Sequence, residues 1–243
     1  MRIVFTEGPL DVLLLRSILV KMFRLEDATR SEDASLIRRH FRNLLIRLQA
    51  DGIIRIVRKS NGETIVIVSV EGKDNFPEIV SATRPLRRIA EETNEDLKGI
   101  ILVGDRDASE ILKELVNPDG DIPILALVYG GYMEDLVFNI FKSTKDSMDN
   151  LEIEVYKKIL GPISKFKDID RNTWKKRKLS LLHLVFGPRC FENLFENLCS
   201  KLAGKSHGIK EINALAQLLN LDPSYEKAQG SAPVLSPSKR QSR

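Results

Sequence analysis

An α/β fold, a mostly parallel sheet covered by helices on both faces, is what this sequence predicts. Three features carry the expectation. Short continuous apolar runs such as Gly99-Ile-Ile-Leu-Val103 are bounded by turn residues, as in strands buried on both faces. Segments with helical apolar spacing alternate with those runs. The 243 residues are 42% apolar and 30% charged, enough for one large domain with an appendage and too apolar for global disorder.

Arg2 to Thr6 is a short apolar strand that ends at Glu7-Gly8. A helix follows from about Pro9 to Phe23, because Pro9 suits a first turn and Leu10, Leu13, Leu14 and Ile18 form one stripe. Glu32 and Asp33 open a second helix, with Ile37, Phe41, Leu44, Leu45 and Leu48 as its buried face and Asp51-Gly52 as its stop. The β-branched runs Ile53 to Val57 and Thr64 to Val70 flank Ser60-Asn61-Gly62, a hairpin signal. A helix from about Pro77 to Glu92 leads to the strand Gly99 to Val103. Another, Ala108 to Val116, ends at Asn117-Pro118-Asp119-Gly120. The strand Pro123 to Tyr129 then precedes a helix from about Met133 to Phe141.

Beyond Asp146 the pattern predicts no strand. Helices near Leu151 to Leu160, Lys178 to Val185, Phe191 to Leu202 and Ile209 to Leu219 make an all-helical C-terminal part. Gln229 to Arg243, rich in Ser, Pro, Lys and Arg, reads as a disordered tail. The expected organisation is an α/β domain over 1–145 with a helix–strand addition at about 28–59. A helical region over 146–226 and a basic tail over 227–243 complete it.

Several classes are disfavoured. The longest apolar stretches, such as Ile122 to Tyr129, fall far short of the ~20 residues of a membrane span. The N-terminus reads as a strand without the apolar core of a signal peptide, so a cytoplasmic location is expected. Cys190 and Cys199 sit nine positions apart on one expected helix, too far for a disulfide there, and read as buried thiols. His40, His183 and His207 are scattered and suggest no histidine-based catalysis.

The net charge of +4 is modest, but nine basic residues lie between Lys157 and Lys178 against only Asp168 and Asp170. Arg171, Lys175, Lys176 and Arg177 are the densest part. Such a run suits a polyanion such as nucleic acid, or a solvated face. Trp174 within it reads as a packing residue.

Acidic residues stand just past the ends of three expected strands, where a parallel α/β sheet does its chemistry. Glu7 follows the first, Asp105 and Asp107 follow Gly99 to Val103, and Glu134 and Asp135 follow the strand ending at Tyr129. In an extended segment Asp105 and Asp107 project to the same side and can share a cation. Carboxylates without accompanying His or Cys favour Mg²⁺, with Mn²⁺ as a substitute, over zinc. The bland alternatives are helix caps for Asp105 or Asp107 and first-turn acids for Glu7, Asp11, Glu134 and Asp135.

The run Ile3-Val4-Phe5-Thr6-Glu7-Gly8-Pro9-Leu10-Asp11 and the later Ile100-Ile101-Leu102-Val103-Gly104-Asp105-Arg106-Asp107 resemble the two motifs of the Toprim family. That family spans topoisomerases, bacterial-type primases, recombination proteins and OLD-type nucleases. Gly131-Tyr132-Met133-Glu134-Asp135-Leu136, and the helix beginning at Lys178, look closer to the OLD-type branch and to small stand-alone prokaryotic Toprim proteins. The core resemblance covers about residues 1–142, and the stretch from about Ala28 to Lys59 departs from a minimal Toprim core. Glu71-Gly72-Lys73-Asp74, after its own strand, is a rival for the first motif.

The resemblance implies a Toprim-like, Rossmann-like fold and a metal site of Glu7, Asp11, Asp105, Asp107 and Glu134. It implies Glu7 and Lys178 as catalytic groups, with Lys178 otherwise a solvated lysine, and Arg171, Lys175, Lys176 and Arg177 as backbone-holding cations. The function implied is Mg²⁺-dependent phosphodiester chemistry on DNA or RNA, as a nuclease or nickase. The alternatives are a nucleic-acid-binding Toprim module in a repair or RNA-handling complex, and a nucleotidyltransferase. Self-association and repair or RNA-handling partners are compatible with all three.

Overall fold

The structure is a computed structural model, and it describes residues 1–50, 52–150, 188–203 and 209–221. Six strands form one mixed sheet: β1 (Arg2–Thr6), β2 (Glu26–Asp27), β3 (Ile54–Arg58), β4 (Thr64–Ser69), β5 (Gly99–Gly104) and β6 (Ile124–Val128). Their order is β2-β3-β4-β1-β5-β6. β4, β1, β5 and β6 run parallel, while β3 and β2 add an antiparallel edge. The α/β class and the largely parallel sheet are therefore as expected.

The central position of β1 follows from its composition. Val4 packs with one apolar cluster, and Ile3 and Phe5 pack with the other, so neither face of the strand meets water. α1 (Pro9–Ser17), α6 (Met133–Thr144), α7 (Pro188–Leu202) and α8 (Lys210–Leu218) cover the Val4 face. α2 (Glu32–Arg47), α3 (Phe76–Ser81), α4 (Thr83–Glu92) and α5 (Ser109–Leu115) cover the other. Register pairs Thr6 with Ser69 and Val103, which brings the chain ends after β1, β4 and β5 to one edge.

Several boundaries differ from expectation for identifiable reasons. α1 passes at Ser17 into a wider turn, Ile18–Met22, where the Phe23 N–H donates to the Ile18 carbonyl. The helix expected over 77–92 is two helices broken at Ala82. Pro85 has no N–H to donate to the Ser81 carbonyl, and its ring crowds that carbonyl, so the first helix stops. β2 was not expected: both of its residues are exposed acids with no strand pattern. The hairpin forms as expected, closed by the Lys59 N–H on the Glu63 carbonyl with Gly62 at φ +84°.

α2 shows how the local sequence sets a helix start. The Ser31 side chain accepts the Ala34 N–H at 3.3 Å, and Glu32 and Asp33 occupy the first turn. At the C-terminal end, Phe191, Phe195 and Cys199 of α7 lie in the same apolar cluster as α1 and α6. Burial pushes the Cys199 thiol far above its ordinary pKa, so it behaves as a small apolar residue. The helices expected over 151–160 and 178–185, and the tail over 229–243, lie outside the described residues. Among the described residues no helix is long and apolar enough to cross a membrane.

Candidate metal centre

Glu7 leaves β1 at the carboxyl edge of the sheet, and Gly8 makes the turn into α1. Glu7 is not a cap: its Oε1 accepts the Asp105 N–H, 2.6 Å away and 98 positions along the chain. Asp105 is extended at φ −71°, ψ 170°, and makes no cap bond to the turn that follows. Its Oδ1 instead accepts the Met133 N–H at 2.8 Å, at the start of α6. The bond orients the carboxylate from a third element. A capping role for Asp105 is thereby displaced by a cross-sheet one.

Asp107 reaches Asp105 by a different route from the extended segment expected. Arg106–Ala108 is a 3₁₀ turn rather than extended chain, so strand alternation does not align the two aspartates. The tight turn brings them together instead. Ligand oxygens of Glu7, Asp105 and Asp107 all lie within 4.8 Å of one another. Glu71 has no place in that group, although Gly72 donates its N–H to the Glu7 carbonyl at 2.8 Å.

Three carboxylates at this separation repel unless a cation lies among them. Part of that charge is met by Lys73, whose Nζ lies 3.0 Å from Asp107 Oδ2 and 3.2 Å from its carbonyl. The hydrogen bond to Asp107 holds the ammonium above its ordinary pKa. The oxygen-only donor set fits a hard divalent ion such as Mg²⁺ or Mn²⁺.

Asp11 and Glu134 form a deeper layer, 8% and 7% exposed. Asp11 Oδ2 accepts the Gly8 N–H at 3.0 Å, so this residue helps start α1 while facing the site. Burial first, then the charges of Asp105 and Glu7, raise the Asp11 pKa well above its ordinary value, and Glu134 adds to the effect. Asp135 Oδ2 accepts the Tyr132 N–H, a first-turn role. Among the described residues, then, the triad is joined by Asp11 and Glu134 as near neighbours rather than as members.

Tyr129 is 2% exposed, and its hydroxyl has no hydrogen-bond partner among the described residues. Burial and the charges of Asp11, Asp105, Glu7 and Glu211 push its pKa up. A buried orphan hydroxyl in an acidic field is a donor without an acceptor, a sign of a polar site. Glu211 comes from α8, where its Oε1 lies 3.4 Å from the Gly130 N–H. No protein-family model matches this chain, and no curated protein or solved structure does either. The site therefore stands on its own geometry.

Lys178, Arg171, Lys175, Lys176 and Arg177 lie outside the described residues. Sequence reasoning missed Lys73, which stands inside the rival Glu71-Gly72-Lys73-Asp74 motif, and it missed Glu211. It also missed the tightness at Gly104. A Cβ there would sit 2.7 Å from Glu7 Oε1 and 3.0 Å from both Ala108 Cβ and Leu112 Cδ1. Gly104→Ala is therefore expected to lower unfolding stability by about 1–3 kcal/mol, because the backbone-held Ala108 cannot yield. Urea unfolding measures it; a wild-type midpoint would mean that Glu7 moves aside at no cost.

Proposed function

We propose that this chain is a Toprim-type enzyme that cleaves phosphodiester bonds in nucleic acid with a divalent cation, as a nuclease or nickase. The observation that carries the reading is the convergence of Glu7, Asp105 and Asp107 at the carboxyl edge of the parallel strands. Glu7, Asp105 and Asp107 would hold Mg²⁺ or Mn²⁺, with Asp11 and Glu134 beside them. Bound there, the ion supplies positive charge to a non-bridging phosphate oxygen and to the charge that builds as the bond breaks.

The protein's own groups do the positioning. The Asp105 N–H fixes Glu7, the Met133 N–H fixes Asp105, and Lys73 fixes Asp107. Three elements thus hold the carboxylates in place before substrate arrives, which spares reorganisation during the reaction. Glu7 is the acid assigned proton transfer as well as ligation. Lys178 is assigned to transition-state charge, and Arg171 to Arg177 to the nucleic-acid backbone.

Incubation of the full chain with supercoiled plasmid and with single-stranded RNA tests the reading. Cleavage with Mg²⁺ or Mn²⁺ and none with EDTA is the expected result. Intact plasmid and intact RNA under both metals would remove the proposal.

A further inference from the structure

A second feature of the molecule lies on the sheet face opposite α1. Residues 34–50 contain four arginines, Arg38, Arg39, Arg42 and Arg47, and no acid. α4 adds Arg84, Arg87 and Arg88 before its first acid at Glu91. Between α2 and α4 runs an open groove of about 600 Å³. His40, Asn43 and Arg47 line one wall, Arg84 and Arg88 the other, and Leu44, Pro85 and Ile89 complete it with Glu92.

The charge in this groove is only partly met. Glu92 takes Arg88 at 2.7 Å and faces His40 at 3.2 Å. Arg47 and Arg84 are exposed and make no ion pair with any described residue. Arg84 also lines an adjoining hollow of about 350 Å³ with Arg87, whose one acid among the described residues, Asp121, is 3.9 Å away and 93% exposed. The basic track therefore continues past the first groove.

We propose that this groove binds the phosphodiester backbone of nucleic acid. Guanidinium groups present paired donors that match phosphate oxygens, and no lysine among the described residues joins the lining. The eight residues from His40 to Arg47 span about 10 Å of helix, more than a single phosphate can touch. With the continuation through Arg84, the length suits a repeating polyanion rather than a mononucleotide. No Phe, Tyr or Trp among the described residues lines either hollow, so the contact reads backbone rather than base. A membrane surface fits less well, because Ile46, 66% exposed, is the one large exposed apolar side chain among the described residues.

The inference rests on the nucleic-acid part of the proposed function and adds a docking surface distinct from the acidic edge. Its test is salt-dependent binding in EDTA of labelled duplex DNA and labelled single-stranded RNA, to the full chain and to Arg47→Gln/Arg84→Gln. The slope of log K against log salt is expected to fall by about 1.8 for duplex or about 1.4 for single strand. Affinity at moderate salt is expected to drop roughly tenfold or more by the same lost contacts. Arg47→Lys/Arg84→Lys keeps the charge and is expected to keep the slope, which separates this effect from misfolding.

An unchanged slope in the Gln variant overturns the inference. So does a variant that loses binding only to phosphatidylserine vesicles, and so does a wild-type chain that binds neither nucleic acid. A slope that falls in a chain that never cleaves keeps the groove and removes the enzyme. Wild-type slope with intact cleavage does the reverse.

Discussion

Asp105→Asn is expected to lower metal-dependent cleavage by on the order of 10³-fold, because one ligand charge at such a site is worth several kcal/mol and about 1.4 kcal/mol is tenfold in rate. The amide keeps the shape of the side chain and an oxygen for the Met133 N–H, so the start of α6 stays in place. What it loses is the negative charge that acts most strongly on the buried Asp11. The folded metal-free variant should therefore be no less stable than wild type, since a repulsion has gone. Cleavage rate and thermal unfolding are read on the same preparation. Wild-type cleavage by the folded variant would show that Asp105 takes no part. Loss of cleavage together with a large fall in Tm would mean that the substitution acts on the fold instead.

The parts of this centre that could be read in the sequence are those in which a local pattern and a strand coincide. Ile100 to Val103 is buried on both faces, and such a strand has to be followed by a turn, so Asp105 was legible at the sheet edge. Glu7 was legible for the same reason after Ile3 to Phe5. Lys73 was not: its meeting with Asp107 depends on β4 lying beside β1, and β1 beside β5, which no local pattern encodes. The alignment of Asp105 and Asp107 was foreseen for the wrong reason, since a 3₁₀ turn rather than strand alternation brings them together.

Helices were read well where the apolar stripe was long, as in α2, and less well where one residue decides. Pro85 breaks the helix expected over 77–92, although its missing N–H was visible in the sequence. The two-residue β2 carries no apolar signal and exists because it pairs with Val57 and Arg58. The arginines of α2 and α4 are an ordinary solvated face when each helix is read alone. Packing turns them into a groove, with His40 and Glu92 at 3.2 Å although 52 positions separate them.

Divalent cation is expected to raise the Tm of the protein, and to raise it more at pH 8 than at pH 5. Asp11 supplies the sign. Its folded pKa lies well above the ordinary 3.8, through burial first and then Asp105 and Glu7. Between those two pKa values the folded chain holds a proton that the unfolded chain has released. Stability from this group is thus complete below the unfolded value and is lost as pH rises through the folded one. Charge placed among Glu7, Asp105 and Asp107 cancels the repulsive part, so the gain is largest where Asp11 would otherwise ionise. At about 100 times the dissociation constant an ion stabilises by about 2.7 kcal/mol. In a domain of this size that corresponds to roughly 5–11 °C. Asp11→Asn is expected to lose less Tm than wild type between pH 5 and pH 8 without metal, since the amide still accepts the Gly8 N–H but cannot ionise. If the wild-type and Asp11→Asn curves run parallel with pH, the buried acid contributes nothing to the linkage. If Mn²⁺ leaves the wild-type Tm unmoved at every pH, the three carboxylates hold no ion.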